Sequence, residues 1–272
     1  QPDDNTESVH RAMVLSGKPA SILITGASSG IGEALACAYA APDVRLFLSG
    51  RDPERLEQVA SRCRESGSMV DAAVIDVTDR EAMDRWISGS DDSRPLDLVI
   101  ANAGISGGSG SGTETTAIMR RIMDVNVGGV LNTIDLPLRR MAERGHGQIA
   151  LVASLAGYRG LPSAPAYSAS KAAVRALGGG LRPVYATRNV RVNVICPGFV
   201  VSRITDSNSF PMPMLMPADK AAKIIRSGLG RNQATIAFPW PMAFSSWLLG
   251  ALPGWAAAPL LRRMPAKSPD CG

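Results

Sequence analysis

Tyr167 and Lys171 stand four residues apart in the run Tyr167-Ser168-Ala169-Ser170-Lys171, inside a stretch patterned as a helix. Residues at that spacing share one helix face, one turn above each other. A phenol beside an ammonium is equipment for moving a proton to or from a reacting oxygen. A free tyrosine has a pKa of roughly 10, so work near neutrality asks for a shift of about three units, on the order of 4 kcal/mol. A neighbouring cation favours the phenolate and is one source of that shift. Alone, such a pair is also an ordinary surface pair, so its meaning depends on what else the chain places beside it.

Near the start, Ser21-Ile22-Leu23-Ile24 reads as a short buried strand. It runs into Thr25-Gly26-Ala27-Ser28-Ser29-Gly30-Ile31-Gly32, and a helical pattern begins at Glu33. Glycines between a strand and a helix permit a tight turn, let a pyrophosphate approach the backbone, and leave the first helical N–H groups facing the anion. Cofactor choice falls at the end of the second strand, in Ser49-Gly50-Arg51-Asp52. A carboxylate there binds the two ribose hydroxyls of NAD, whereas an arginine favours the 2′-phosphate of NADP. Arg51 therefore points to NADP over NAD, and Asp52, just ahead of Pro53, reads as a helix cap.

With 272 residues, 45 % hydrophobic and 19 % charged, the chain suits one α/β core and demands no second domain. Short apolar runs alternate with helical stretches, the pattern of a parallel sheet covered on both faces. Strands are expected at residues 44–49, 69–75, 96–101, 148–153, 190–195 and 234–237, with helices at 53–65, 80–87 and 218–229. One long helix is expected over 115–143, irregular near Gly128-Gly129 and Pro137, and another carries Tyr167 and Lys171. The net charge of +5 is scattered, which speaks against nucleic-acid binding. Cys37, Cys63, Cys196 and Cys271 form no Cys-x-x-Cys pair, and only His10 and His146 supply imidazoles, so no metal site is expected and reduced thiols in the cytoplasm are the simpler reading. Residues 1–18 read as a tag or disordered tail.

The turn resembles the Thr-Gly-x-x-x-Gly-x-Gly form of the short-chain dehydrogenase/reductase family, and further motifs follow in order over about residues 20–202. The resemblance implies a Rossmann-like doubly wound parallel sheet of about seven strands in one domain, residues 19–238. It places Asp76 and Val77 at the adenine, and Asn102, Ala103 and Gly104 of Ala101-Asn102-Ala103-Gly104 at the adenine ribose, with alanine where the family usually has a first asparagine. Pro197, Gly198, Val200 and Ser202 of Cys196-Pro197-Gly198-Phe199-Val200-Val201-Ser202 correspond to the segment beside the nicotinamide, Ser202 standing where threonine is more usual. Ser154, thirteen residues before Tyr167, matches the active-site serine, and Asn126 the fourth catalytic member, expected to hold a water linked to Lys171. The activity implied is NADP-dependent interconversion of a ketone or aldehyde and an alcohol on a small-molecule substrate by a homodimer or homotetramer. The alternative is a non-enzymatic NADP-binding regulator on the same fold, against which the complete set Asn126, Ser154, Tyr167 and Lys171 counts.

Substrate choice belongs beyond Ser202. Residues 202–232 are the expected substrate region, and the Met- and Pro-rich run 210–217 reads either as a lid over an apolar substrate or as a packed loop. Residues 232–261 contain no Asp, Glu, Lys or Arg. Prolines 239, 241, 253 and 259 break this stretch below the length of a bilayer span. For the extension 239–272, three readings stand: packing on the body or a second subunit, a wall of an apolar channel, or a peripheral membrane contact helped by Arg262, Arg263 and Lys267.

Overall fold

Residues 21–25 have no exposed side chain, so both faces of this first strand must be covered. In the computed structural model, which describes residues 18–107, 114–206 and 212–262, they form β1 (Ser21–Thr25). The further strands are β2 (Arg45–Gly50), β3 (Met69–Val74), β4 (Leu98–Ala101), β5 (Gly147–Val152), β6 (Val190–Pro197) and β7 (Thr235–Phe238). All pair in parallel in the order β3-β2-β1-β4-β5-β6-β7. The order reverses between β1 and β4, and the crevice beyond the carboxyl ends of the strands there is where such sheets take ligands.

Alternation along β1 divides the core. Ile22 and Ile24 face α1 (Gly30–Tyr39), α2 (Pro53–Glu65) and α8 (Ala218–Gly230). Leu23 faces the other layer, formed by α3 (Arg80–Ser93), α5 (Gly129–Arg144) and α6 (Pro165–Ala186), with α4 (Thr116–Met123) packed on α6. The Asp52 carboxylate accepts from the Arg55 N–H at 3.2 Å and caps α2, with Pro53 in its first turn.

Three elements differ from expectation. The long helix over 115–143 is two α-helices joined by a π turn at Asp124–Gly128, so the irregularity expected near Gly128-Gly129 is present, while Pro137 stays within α5 without a break. Helix α3 continues to Ser93, past residue 87, and β4 starts at Leu98 rather than 96. One residue causes both shifts: buried Asp91, on α3, accepts the Leu96 N–H at 2.8 Å and two contacts from Arg144 Nη1 at 2.9 Å. Asp91→Ala leaves that N–H and the Nη1 of a half-buried guanidinium without their acceptor, and should lower unfolding free energy by about 3 kcal/mol. Chemical denaturation measures this, and an unchanged midpoint would contradict the role given to Asp91.

After β6 comes the short α7 (Arg203–Asp206), and after β7 come α9 (Trp240–Ala251) and α10 (Gly254–Arg262). Of the expected 210–217 run, residues 210 and 211 lie outside the described residues, as do 1–17, 108–113 and 263–272. Met216 is buried and bridges Val200. No helix among the described residues is long and apolar enough to cross a membrane.

Candidate active site

The glycine turn lies between β1 and α1. Gly26 has φ +66°, and a Cβ there would sit 2.8 Å from the Ala103 Cα. At Gly32 a Cβ would run into the Gly26 carbonyl oxygen. The turn is tied down from β4: Asn102 Nδ2 donates to the Thr25 and Gly26 carbonyls at 2.9 and 3.1 Å, and Thr25 Oγ1 accepts from the Asn102 and Ala103 N–H groups at 3.1 and 3.2 Å. Asn102 thus braces the turn with its side chain. Ser29 precedes α1 without a side-chain cap, so the first N–H groups of that ten-residue helix remain directed at whatever occupies the turn.

At the far end of the crevice, Arg51 is mostly exposed, its Nη1 3.8 Å from Asp76 Oδ2. A second guanidinium reaches the same oxygen: Arg121 Nη2 lies 2.9 Å away. The other Asp76 oxygen accepts from Thr78 N and Oγ1 at 3.0 and 2.8 Å. Burial raises the Asp76 pKa, but the hydrogen bonds from Thr78 and Arg121 outweigh it and leave the carboxyl below its ordinary range. Asp76 therefore stands between two cations as an ionised post.

Ser154, Tyr167 and Lys171 meet at the carboxyl ends of β5 and β6. Ser154 stands two residues past the end of β5 and donates its hydroxyl to the Pro197 carbonyl at 3.4 Å. Tyr167 and Lys171 share a face of α6, the ammonium 5.8 Å from the ring centroid. Lys171 is 4 % exposed and donates to the Val152 carbonyl at 2.9 Å. Burial pulls its pKa down to about 8. The Tyr167 ring keeps some exposure toward the crevice, yet the protein around it disfavours the phenolate: burial raises its pKa, and a hydrogen bond with Ser154 works against that rise. In the protein without its cofactor, burial outweighs the Ser154 hydrogen bond and the phenol is held above its ordinary pKa.

Asn126 is fully buried in the π turn. Its Nδ2 donates to the Ile105 carbonyl at 2.9 Å and to Ser170 Oγ at 3.0 Å, while Oδ1 accepts the Ile105 N–H at 2.8 Å. Both side-chain amide hydrogens go to protein acceptors. Asn126 thereby ties the segment after β4 to the helix that carries Tyr167.

A cavity of about 1090 Å³ runs from the glycine turn, past Arg51 and Asp76 at one end, to Ser154 and Tyr167 at the other. Ser28, Ser29, Gly30, Ile31, Val77, Asn102, Ala103, Gly104, Lys171, Pro197, Gly198, Val200 and Ser202 also border it, whereas Gly32 and Asn126 stand behind it. Its length, glycine cradle and cationic end fit a dinucleotide. Residues 20–211 match the short chain dehydrogenase family. The chain belongs to that family.

An uncharacterised oxidoreductase of Myxococcus xanthus is 39 % identical over 232 residues, covering 85 % of this chain and 92 % of the relative. A short-chain dehydrogenase of Sphingobium yanoikuyae, solved with NADPH, superposes with a TM-score of 0.76 at 26 % identity, covering 90 % of this chain and 96 % of the other. One from Mycobacterium paratuberculosis, bound to NAD, gives 0.70 at 24 % identity over 80 % and 94 %.

Beyond Ser154, the cavity of this short-chain dehydrogenase is walled by Leu155, Leu161, Phe199, Pro213, Met242 and Leu249. Four supporting residues take their roles only from the structure: Thr25 and Ser170, both inside motifs named above, and Arg121 and Thr205. Thr205 Oγ1 accepts the Ser202 N–H at 2.8 Å and donates to the Val200 and Ser202 carbonyls, fixing the segment after β6. Thr25 directly precedes Gly26 and was within reach of a motif argument. Arg121 and Ser170 carry no local signal, since their partners lie 45 and 44 residues away.

Proposed function

We infer that this oxidoreductase interconverts a ketone or aldehyde and an alcohol with NADP(H), on an apolar substrate, with Tyr167 as general acid and base. The observation that carries the reading is the cavity itself, which joins a glycine cradle and an end bordered by Arg51 and Asp76 to the Ser154–Tyr167–Lys171 cluster and then to an apolar wall. When bound, the dinucleotide supplies or accepts the hydride. Ser154 donates to the carbonyl oxygen and holds it in line. Tyr167 hands that oxygen its proton, a step for which a phenol kept neutral by burial is already in the right form. Lys171 stabilises the phenolate left behind, and Asn126 holds the α6 helix in place. Family resemblance supports a cytoplasmic homodimer or homotetramer built on residues 19–238, with 239–272 as an extension.

A panel of ketones and aldehydes offered with NADPH and NADH in parallel tests the reading. NADPH oxidation by an apolar carbonyl is expected; tight NADPH binding without turnover on any carbonyl would favour a non-enzymatic regulator. Arg51 carries the cofactor preference. A charged hydrogen bond contributes about 1.5–3 kcal/mol, and the exposure of Arg51 puts it at the low end, so Arg51→Ser should raise the KM for NADPH about tenfold and leave that for NADH unchanged. An unaltered ratio of the two would remove Arg51 from this role.

A further inference from the structure

Helix α9 has two opposite faces with different surroundings. Met242, Ser246 and Leu249 border the cavity, whereas Trp240, Phe244, Trp247 and Leu248 are 73, 53, 56 and 45 % exposed. At about 100° per residue these two sets fall on opposite sides of the helix. The outer rings form a ladder, with centroids 6.2 Å apart for Trp240 and Phe244 and 6.0 Å apart for Phe244 and Trp247. Helix α10 extends the apolar face with Trp255, 82 % exposed, and Leu260, 50 % exposed, while its Ala257 is fully buried. The junction is held by Arg159, whose Nη1 donates to the Leu252 carbonyl at 2.8 Å.

An apolar face of this kind marks an interaction site, and three features favour lipid over a second copy of the chain. Residues 232–261 offer no charged group, so a facing copy would find no ion pair here to set its register. Exposed tryptophans on short helices suit the headgroup level of a bilayer, where the ring is half wet. The sequence then supplies Arg262, Arg263 and Lys267 before its next acid, Asp270, and cations just outside an apolar segment match anionic headgroups.

We propose that α9 and α10 lie flat on an anionic lipid surface, with Trp240, Phe244, Trp247 and Trp255 at the headgroup level. The cavity then sits about one helix diameter, ~10 Å, from the lipid. Binding of this kind requires no catalysis, so its failure leaves the proposed reaction untouched.

The full chain, mixed with vesicles of phosphatidylcholine alone or with added phosphatidylglycerol, is pelleted and assayed by tryptophan emission. Pelleting with the anionic vesicles, a blue shift, and weakening by salt are expected. The combined Trp240→Ser, Trp247→Ser and Trp255→Ser variant should partition at least about tenfold less at an unchanged melting temperature. The proposal is overturned if the chain stays in the supernatant with both vesicle types, or if the triple variant binds as the parent does. It is equally overturned if the triple substitution halves the mass on a sizing column, which would assign the face to a second copy.

Discussion

Tyr167→Phe is expected to lower carbonyl turnover by about a thousandfold while NADPH binds as before. The substitution removes a single oxygen and keeps the ring above Lys171. Among the described residues, no other group beside Ser154 in the cavity is placed to take over its proton. Lys171 is buried and held on the Val152 carbonyl. Tyr158 does not border the cavity. Among the described residues the one imidazole is His146, which lies 3.2 Å from Asp97 at the amino end of β5, the opposite end of the sheet from Ser154. Steady-state turnover on the best carbonyl of the panel and a fluorescence titration of NADPH read the two halves of the prediction separately. Full turnover would sink the mechanism, and lost NADPH binding would mean that the phenol holds the cofactor rather than serving the reaction.

How far the chain could be read before its structure depended on whether the signal was local. Strand β1 and the glycine turn are encoded by adjacent residues, and α2 runs over the expected 53–65 because Asp52 and Pro53 cap it from within its own sequence. The end of α3 is different: Ser-Gly-Ser-Asp-Asp-Ser is a poor helix on propensity, and its helicity rests on Asp91 meeting Arg144, 53 residues away. Asn126 is placed by its motif, and the irregular backbone around it reaches Gly128, at the expected Gly128-Gly129 break, whereas Pro137 leaves α5 unbroken. The stretch 240–262 is apolar on every side and so carries no period that would predict its helices. In the fold this ambiguity disappears, since one side of α9 meets the cavity and the other meets solvent.

Lys171→Met should abolish most turnover and, in the same protein, change how stability depends on pH. Burial lowers the ammonium pKa from 10.5 to about 8. Below about 8 both the folded and the unfolded chain carry the charge, and its burial costs the fold about 3 kcal/mol in full. As pH rises from 8 to 10.5 the folded chain releases the proton while the unfolded chain still holds it, so the cost fades and stability climbs with pH. Methionine keeps the length and has no proton to lose, and that climb should be missing. At pH 7 the variant should be the more stable one, by about 3 kcal/mol less about 1 kcal/mol for the Val152 carbonyl it leaves without a donor. Denaturant unfolding of the cofactor-free pair across this range tests it, because other groups titrating there cancel in the difference. Parallel profiles would show that Lys171 keeps an ordinary pKa. Converging ones would show a charge retained at the site against the fold's own preference, which is what a phenolate-stabilising role requires.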